Sequence, residues 1–345
     1  MFSIIGVQES DKWDQTVSTF PTADVFYLNG YVKACQLRGE GEPFLFYYDN
    51  GSTRAINVVM KRDIADADHL RGAIPEKTYY DLSSPYGYAG FIFQGEDHKS
   101  VYAAYDKYCL EEGFVSDFVR FNLFSGAERL YSGTVVHRNS NVVRTLEKPL
   151  NEIENEFDRK VRKNLRKARS FGLQVEIDTK GRRLDDFLKI YYDTMDRANA
   201  NKSYYFPKDY FLALNKMVGN FVYFHVVCNG KVISTELVLY CGDTCYSFLG
   251  GTDAHYFEMR PNDLLKVAVI EWAKEVGLKR YVLGGGYKGD DGIFRFKKSF
   301  APTCVVPFFT GHRIFRADRY SELVTLRREQ LGLGDDQGSF PEYRR

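Results

Sequence analysis

The feature that most restricts how this chain can fold is an order of predicted elements that occurs twice along its 345 residues. In the first half, a hairpin turns at residues 49–51 (DNG), and a helix over 98–112 precedes a strand over 114–121. In the second half, a hairpin turns at residues 229–230 (NG), the strand CYSFLGG follows, and the helix RPNDLLKVAVIEWAKEVG precedes the strand KRYVL. The repeated order predicts two copies of one α/β module.

Two such modules divide the chain near residue 150. We expect a first domain over 1–150, a second domain over 151–330 that begins with a basic helix, and a polar, frayed tail over 331–345. Each module is expected to have its own central mixed sheet, and the second to contain a splayed strand pair before Asn262. The predicted fold class is α/β (α+β), with a sheet that mixes parallel and antiparallel strands.

The charge balance excludes bulk electrostatic attraction to nucleic acid. Lys plus Arg number 47 and Asp plus Glu number 46, so binding to a polyanion has to come from a local patch. The N-terminal sequence MFSIIGVQESDKW lacks the basic start and apolar length of a signal peptide, and no apolar run reaches membrane-spanning length. The six cysteines and six histidines show no spacing typical of a metal site or a catalytic triad. We therefore expect a cytoplasmic protein with no metal and no bound cofactor.

The segment YVLGGGYKGDDGIFRFKKSF over 281–300 is the best candidate for chemistry. A buried strand leads into Gly284, Gly285 and Gly286, where the absence of side chains permits the close approach of a ligand. Apolar residues at helical spacing in GIFRFKKSF dock a short helix on the core and hold Lys297 at its rim. A fixed ammonium there could stabilise an oxyanion or bind an anionic donor. The same residues are compatible with an ordinary strand-to-helix connection that carries solvated lysines.

The segment NEIENEFDRKVRKNLRKARSFG predicts one strongly basic helix between the two modules. Asn151 and Glu154 resemble a capping box at its start, and Gly172 ends it. One stripe of the helix is apolar and consists of Ile153, Phe157, Val161, Leu165 and Ala168. The other faces carry seven bases, which are Arg159, Lys160, Arg162, Lys163, Arg166, Lys167 and Arg169.

Two explanations for these bases stay open. Cations near a helix C-terminus complement the helix dipole, which accounts for part of the asymmetry without any ligand. Seven bases within eleven residues of a nearly neutral chain also suit a phosphate-rich ligand. On the second explanation, Arg162, Lys163 and Arg166 are predicted to bind the donor of a transfer reaction.

Several blocks of the sequence resemble FemAB-type transferases, a branch of the GNAT acyltransferase superfamily that includes peptidoglycan bridge-forming enzymes. The block VRKNLRKARSFGLQVEI is similar to the start of their second domain, and IYYDTMDRANANKSYYF, RPNDLL and YVLGGGYKGDDGIFRFKKSF are similar to later blocks. DLSSPYGYAGFIF and FVSDFVRFNLF fit the first domain. The resemblance runs from about residue 20 to about residue 325.

The resemblance implies two tandem GNAT-like domains with an acceptor cleft between them and an acyl group transferred to an amine. FemAB enzymes use aminoacyl-tRNA as donor, whereas many other GNAT enzymes use acyl-CoA. Acetyl-CoA enzymes place a glycine-rich turn where backbone N–H groups cradle the pyrophosphate. Residues 256–263 of this chain, YFEMRPND, contain no glycine and two carboxylates, and only Arg260 favours phosphate. Aminoacyl-tRNA is therefore favoured as co-substrate, with acyl-CoA as the alternative.

Amide formation needs a polarised carbonyl and an acceptor for the proton of the attacking amine. By matching the family's lysine in FRFKKSF, Lys297 is the candidate for stabilising the developing negative charge or the tRNA end. Glu236 lies on the predicted strand VISTELVLY and is the candidate base, because a half-buried carboxylate could accept the proton. An edge or solvent-facing position is the alternative for Glu236. Asp290 and Asp291 could take the same role or serve only as turn residues. A reaction assisted by the substrate itself, with no protein base, is a further alternative.

The acceptor implied by the family is a nucleotide- or lipid-linked glycan or peptide precursor. Tyr86, Gly87 and Tyr88 in one loop, and Tyr204 and Tyr205 in another, offer aromatic faces suited to a sugar or nucleotide, although core packing also explains aromatic residues. Arg120 could pair with an acceptor phosphate or with a structural carboxylate.

Two functions from different classes follow. The first is an amide-forming acyltransferase or aminoacyltransferase of cell-envelope biogenesis, acting on a peptidoglycan or surface-glycan precursor, with tRNA and a membrane-linked substrate as partners. The alternative is a catalytically inactive GNAT-like module that binds RNA or a nucleotide sugar through the basic helix. The residues leave the identities of the acyl group and of the acceptor open.

Overall fold

The computed structural model describes residues 2–287, 289–332 and 340–344. Its strands are β1 (Phe2–Gly6), β2 (Glu42–Asp49), β3 (Arg54–Asp63), β4 (Tyr80–Ser83), β5 (Ile92–Gln94), β6 (Ser116–Arg120), β7 (Thr134–Thr145), β8 (Gln174–Asp178), β9 (Phe221–Cys228), β10 (Lys231–Cys241), β11 (Thr244–Thr252), β12 (Arg280–Gly284) and β13 (Val305–Ile314). Its α-helices are α1 (Ser10–Ser18), α2 (Asn29–Leu37), α3 (His98–Glu111), α4 (Leu150–Glu156), α5 (Arg159–Ser170), α6 (Leu184–Arg197), α7 (Lys208–Leu214), α8 (Pro261–Glu275), α9 (Gly292–Lys298) and α10 (Ala317–Leu331). The two predicted hairpins are β2/β3 and β9/β10, and both are confirmed.

The chain divides into two compact units, of which unit 1 comprises Met1–Arg138 and Phe308–Arg345. Within unit 1 the strand order is β1-β2-β3-β4-β6-β13, with β5 beside β3. The β4/β6 pair is parallel, and the other pairs described in this unit are antiparallel. An aromatic-rich core forms where buried side chains of α3 such as Tyr105 meet Phe46 of β2 and Phe91. Burial of these rings removes a large apolar area from water and so stabilises unit 1.

Unit 2 comprises Asn139–Pro307, with the strand order β7-β12-β11-β10-β9-β8. The pairs β8/β9, β9/β10, β10/β11 and β12/β7 are antiparallel, and β11/β12 is parallel. Its largest core lies where α5, α8 and α9 cover one face of the strands. The mixed α/β fold expected from the repeated element order is therefore present.

The parallel pair β11/β12 separates soon after it forms. Cα partners run only from Thr244 with Arg280 to Tyr246 with Val282, although β11 continues to Thr252. The two strands are thus splayed before α8 begins, as the sequence predicted for the region preceding Asn262. Residues 247–252 of β11 therefore have no Cα partner on β12.

The predicted division into 1–150 and 151–330 differs from the two units of the structure, because residues 308–345 group with unit 1. The physical reason is pairing, since residues 310–314 of β13 form an antiparallel ladder with β6. Such a non-local pairing leaves no local sequence signal.

The predicted single basic helix is two helices, α4 and α5. Phe157 between them adopts an extended conformation (φ −63°, ψ 147°), and the predicted capping box is absent because the N-cap of α4 is Pro149. The predicted apolar stripe is nevertheless buried throughout, since its five members, Ile153, Phe157, Val161, Leu165 and Ala168, are at most 3% exposed. Gly172 follows α5 with a positive φ of 66°, as expected for the residue that ends a helix.

The described end of the chain is held in unit 1 and is not frayed, contrary to the expectation of a polar, loose tail over 331–345. Tyr343 is fully buried, and its hydroxyl donates to Asp81 Oδ2 at 2.9 Å. Arg344 Nε donates to the same carboxylate at 2.6 Å, and Arg62 Nε donates to Asp81 Oδ1 at 2.8 Å. These arginines hold the pKa of the fully buried Asp81 carboxyl below its ordinary value, although burial acts in the opposite direction. Residues 333–339 of the predicted tail lie outside the described residues.

Candidate active site

Helix α9 carries Lys297 to the end of β12. The helix is capped by Asp291, whose Oδ1 accepts from the N–H of Phe294 at 2.8 Å, and Phe294 is buried in the core of unit 2. This anchoring leaves Lys297 half-buried and Lys298 exposed. Lys297 therefore differs from the solvated lysine of the alternative interpretation, whereas Lys298 matches it.

The Lys297 ammonium is held over the triple glycine. Nζ donates to Gly285 O at 2.7 Å, which is its one hydrogen bond among the residues that the structure describes. Gly284 has a φ of 86°, and a Cβ added there would lie 3.1 Å from Lys297 Nζ. Glycine thus permits both the turn and the close approach of the lysine, so part of the space that the sequence assigned to a ligand holds Lys297 itself.

Burial lowers the pKa of Lys297 to about 8 from its ordinary value of 10.5, and the nearby Lys266 ammonium acts in the same direction. Glu236 and Asp291 act against this lowering, because each carboxylate favours the charged lysine. An ammonium with two donors still available and a pKa near neutrality can donate a hydrogen bond to an oxyanion at physiological pH.

Glu236 lies inside a closed polar network and not at the surface. It is 3% exposed in the middle of β10, so the edge or solvent-facing position is excluded. Its Oε2 accepts from Lys266 Nζ at 2.7 Å and its Oε1 accepts from the Tyr281 hydroxyl at 2.6 Å. Lys266 also donates to Ser247 Oγ at 2.7 Å. Each oxygen of this buried carboxylate therefore already accepts a hydrogen bond from a neighbouring side chain.

The sequence reasoning missed Lys266, Tyr281 and Ser247. The sequence did contain a signal for Lys266, which lies inside the apolar run LLKVAVIEW of α8. A lysine buried with such a run needs a buried partner for its charge. Lys266 is 6% exposed and its partner is Glu236. Nothing in the local pattern indicates that Ser247 on the splayed part of β11 completes the network.

The other candidate acidic residues have structural roles or exposed positions. Asp291 caps α9, and its Oδ2 also accepts from the N–H of Tyr287 at 2.7 Å. Asp290 is exposed in the same turn. This arrangement matches the simpler prediction that both are turn residues.

Of the two aromatic residues predicted in unit 2, the structure brings Tyr204 to the triple-glycine segment. Its ring lies 6.4 Å from the ring of Tyr287, which follows Gly286 and is 63% exposed. Tyr205 instead donates to Asp196 Oδ1 at 2.7 Å and stacks on Tyr192. Tyr204 therefore lies near the candidate site, whereas Tyr205 supports α6.

The remaining predicted acceptor residues belong to unit 1. The Tyr86 N–H donates to Glu40 Oε2 at 2.8 Å, and the Tyr86 ring lies 5.2 Å from the Arg38 guanidinium carbon. A Cβ added at Gly87 would lie 2.5 Å from the Phe26 ring, so close packing accounts for that glycine. Two further predicted residues are also engaged within the unit: Tyr88 packs edge-on against Phe26 at 5.4 Å, and Arg120 NH1 lies 3.3 Å from Ser84 Oγ.

The predicted donor-binding residues of α5 differ in their roles. Arg162 NH1 donates to Asn155 O at 2.7 Å and to Phe157 O at 2.6 Å, so it caps the C-terminus of α4 at the break. Lys163 and Arg166 are exposed and make no ion pair among the described residues. Together with Arg159 they follow helical spacing on one side of α5, which leaves an unpaired basic stripe of Arg159, Lys163 and Arg166.

The start of α8 is the place where a GNAT enzyme would cradle the CoA pyrophosphate, and its residues do not fit that role. Arg260 is the N-cap in a left-handed conformation (φ 61°), and Pro261 removes one backbone N–H. The buried Asp263 carboxylate lies in the first turn, where Oδ1 accepts from Asn164 Nδ2 at 3.0 Å. Burial raises the pKa of Asp263, and a phosphate there would meet a carboxyl group.

Two further properties concern metals and membranes. No group of three or more His, Cys, Asp or Glu side chains within residues 2–287, 289–332 and 340–344 is arranged to hold a metal ion. No helix in that part of the chain has the length and apolar character needed to cross a membrane.

The comparisons with known proteins agree with this fold. A family model described as an acetyltransferase (GNAT) domain matches residues 155–298, which include α5, β12 and Lys297. No curated protein sequence matches the chain. The crystal structure of FemX superposes with a TM-score of 0.67 at 15% identity, over 93% of this chain and 99% of that chain.

Two further solved structures are similar to this chain along most of its length. L-PGS from Bacillus licheniformis gives a TM-score of 0.56 at 12% identity, over 92% of this chain and 96% of that chain. The C-terminal domain of a putative lysylphosphatidylglycerol synthetase from Agrobacterium fabrum gives a TM-score of 0.54 at 10% identity, over 94% of this chain and 97% of that chain. The suspected resemblance is confirmed at the level of fold: the chain is similar to the FemX structure along nearly its whole length, and its residues 155–298 match the GNAT domain model.

Proposed function

We propose that the protein is an amide-forming acyltransferase that moves an acyl or aminoacyl group from an activated ester or thioester to an amine of a cell-wall or surface-glycan precursor. The observation that carries the proposal is the position of Lys297, whose ammonium is fixed beside Gly284 and Gly285 and makes one hydrogen bond among the described residues. The FemX-like fold and the GNAT family match support transfer chemistry at this place.

In the proposed reaction, the neutral amine of the acceptor attacks the donor carbonyl. A C–N bond forms, negative charge develops on the carbonyl oxygen, and the C–O or C–S bond to the leaving group then breaks. Lys297 donates a hydrogen bond to that oxygen, so it stabilises charge that is absent from the ground state. The ammonium proton stays on Lys297, and the proton lost by the amine passes to the leaving group or to solvent.

Glu236 is not the base in this scheme. Its two oxygens accept from Lys266 and Tyr281, and the network is buried. A general base has to reach the proton that it removes, and this carboxylate is already occupied on both sides.

Two observations favour an aminoacyl-tRNA donor over acyl-CoA. The pyrophosphate cradle expected for CoA is replaced by Pro261 and the buried Asp263 carboxylate. The basic stripe of α5 offers Lys163 and Arg166 as unpaired contacts for a phosphate backbone. The similarity to a putative lysylphosphatidylglycerol synthetase domain also suits an aminoacyl group better than an acetyl group.

The test is a transfer assay with a matched pair of variants. Aminoacyl-tRNA pools and acetyl-CoA are each offered with nucleotide-linked and lipid-linked muropeptide precursors, and amide products are detected by mass spectrometry. Lys297→Met should lower turnover about 10²- to 10³-fold with acceptor affinity nearly unchanged. Lys298→Met should be nearly silent, because this lysine of the same helix is exposed. Equal loss in both variants, or loss below tenfold for Lys297→Met, would remove Lys297 from the mechanism.

The basic stripe alone would also suit the alternative function, a module that binds RNA or a nucleotide sugar without catalysis. That function predicts binding of tRNA with no amide product from any donor and acceptor pair. In that case Lys297→Met would change neither binding nor chemistry.

A further inference from the structure

Strand β7 brings two asparagines beside the triple glycine. Gly284 pairs with Val142 in the antiparallel β12/β7 ladder, so the residues before Val142 run alongside the glycines that follow Gly284. A Cβ added at Gly285 would lie 3.2 Å from Asn139 Nδ2, and a Cβ added at Gly284 would lie 3.8 Å from Asn141 Oδ1. Because the glycines have no side chains, both amides lie next to the backbone of the candidate site.

The amide oxygen of Asn139 has no hydrogen-bond partner among the described residues. Oδ1 is buried from water, although the residue as a whole is only half-buried. An unpaired buried acceptor costs about 1 to 3 kcal/mol, and native proteins contain few such groups. Rotation of the amide by half a turn about the Cβ–Cγ bond exchanges Oδ1 and Nδ2, and no hydrogen bond of Oδ1 is lost in that rotation.

Lys297 has unused donors at the same glycine. Its Nζ donates to Gly285 O at 2.7 Å, and the other two donors of the ammonium have no partner in the described part of the chain. The distances measured through Gly285 limit the separation of Lys297 Nζ and Asn139 Nδ2 to about 9 Å. A cationic donor and a neutral acceptor are thus both available beside Gly285.

The chemical group that matches this pair has an oxygen acceptor and an N–H donor on one carbon atom. The tetrahedral centre that forms when an amine adds to an acyl carbon is such a group. Hydrogen bonds of about 2.9 Å at each end, and about 2.4 Å between the oxygen and the nitrogen, give a total span of at most about 8 Å. This span fits within the limit set by Gly285. Water or an alcohol that adds to the same carbon has no N–H to offer.

We propose that Asn139 Oδ1 accepts a hydrogen bond from the attacking amine and so selects amines over water and alcohols as acceptors. The inference rests on the proposed function of Lys297, which donates to the oxygen of the same carbon. The C–N bond forms and the bond to the leaving group breaks. A primary amine keeps the N–H that binds Asn139, and the proton that it loses passes to the leaving group or to solvent. Asn139 contacts the acceptor and takes no proton.

The test measures the ratio of amide product to hydrolysed donor. Aminoacyl-tRNA or acetyl-CoA is offered with the muropeptide precursors, both products are quantified by mass spectrometry, and hydrolysis without protein is subtracted. In Asn139→Leu, which has a similar size and no acceptor, the ratio should fall about tenfold. In Asn139→Asp, which keeps an acceptor oxygen, it should stay within about threefold of the original ratio. A charge effect of the aspartate on Lys297 changes both reactions alike and cancels in the ratio.

Thermal unfolding separates this role from a structural one. Asn139→Leu removes an unpaired buried oxygen, so it should melt at or above the temperature of the unaltered protein. A clearly lower melting temperature would show that the amide supports the fold, and it would overturn the inference. If Asn139→Leu does not fold, Asn139→Ala also lacks the acceptor and should give the same fall in the ratio.

The control variant is Asn151→Leu, because Asn151 is an exposed asparagine on α4. Its product ratio should match that of the unaltered protein. An unchanged ratio in Asn139→Leu, or equal losses of amide formation and hydrolysis, would overturn the inference. Equal falls in Asn139→Leu and Asn139→Asp would also overturn it.

Failure of this inference can be distinguished from failure of the proposed function. Normal amide formation with an unchanged ratio in Asn139→Leu would reject the role of Asn139 and leave the proposed function in place. If the unaltered protein formed no amide from any donor and acceptor pair, the proposed function would be rejected, and the role of Asn139 with it.

Discussion

Replacing Lys297 by methionine should make the folded protein more stable at neutral pH while it lowers the turnover of the proposed reaction. The side chain is half-buried, and its pKa is about 8 in the folded state against an ordinary value of 10.5. A charged Lys297 therefore destabilises the folded state. Methionine has a similar length and no charge, so the variant removes this destabilisation.

The size of the effect follows from the pKa difference. At 1.36 kcal/mol per pKa unit, the lowering corresponds to about 3 kcal/mol before solvent screening. Screening of a half-buried group and the loss of the hydrogen bond to Gly285 O reduce the expected gain to about 1 to 2 kcal/mol. For a unit of the size of Asn139–Pro307, this gain raises the melting temperature by about 2 to 8 °C.

The pH dependence gives the effect its signature. Because the folded-state pKa is depressed, the contribution of Lys297 to stability is most favourable above the unfolded value of 10.5 and is lost as the pH falls through about 8. The advantage of Lys297→Met should be constant below pH 8 and shrink toward zero as the pH approaches 10.5.

Thermal unfolding of the two proteins between pH 6 and pH 10.5, followed by circular dichroism, measures this difference. The pH range brackets the two pKa values of about 8 and 10.5. Lys298→Met should melt like the unaltered protein at every pH, since Lys298 is exposed. A variant that is less stable at pH 7, or a gain that does not change between pH 8 and 10, would show that burial does not destabilise the Lys297 ammonium.

Two further predictions concern the basic stripe and the end of the chain. Lys163→Ala/Arg166→Ala should reduce the salt dependence of tRNA binding by about 0.7 to 0.9 log units per lost contact, measured by fluorescence anisotropy over a range of salt concentrations. Equal slopes in both proteins would assign the stripe to an ordinary solvated surface. Tyr343→Ala should destabilise unit 1 by about 3 to 5 kcal/mol in a denaturant titration, since the ring is fully buried. Tyr287→Ala, at a site that is 63% exposed, should change stability by at most about 0.5 kcal/mol, and a similar effect of both changes would refute the role given to Tyr343.

The sequence predicted those parts of the fold that depend on short-range patterns. Alternating apolar residues around the turns at 49–51 and 229–230 specify the two hairpins, and the 3.6-residue period specifies α3 and α8. The stripe from Ile153 to Ala168 was predicted correctly even though the helix is broken. Its spacing survives the break because Phe157 still points into the core.

The parts that failed depend on residues far apart in the chain. The pairing of β13 with β6 joins segments about two hundred residues apart, and neither strand carries a mark of its partner. The ion pair of Glu236 with Lys266 also required the fold, because each residue alone looks like a charge of uncertain exposure. Lys297 was predicted through the family resemblance and the helical spacing, whereas the buried network of Glu236, Lys266, Ser247 and Tyr281 could be recognised only in three dimensions.

The placement of β13 and α10 in unit 1 has a consequence for the order of assembly during synthesis. Unit 2 is continuous in sequence, so a nascent chain that has reached residue 307 holds all of its strands and helices. Unit 1 at that moment lacks β13, one of the two strand partners of β6, and it lacks Tyr343 and Arg344, which bind Asp81. Unit 2 can therefore close its core before unit 1 is complete. The edge of β6 that pairs with β13 stays uncovered until the residues after 307 have been synthesised. Chaperone binding to stalled nascent chains of these two lengths would reveal that interval.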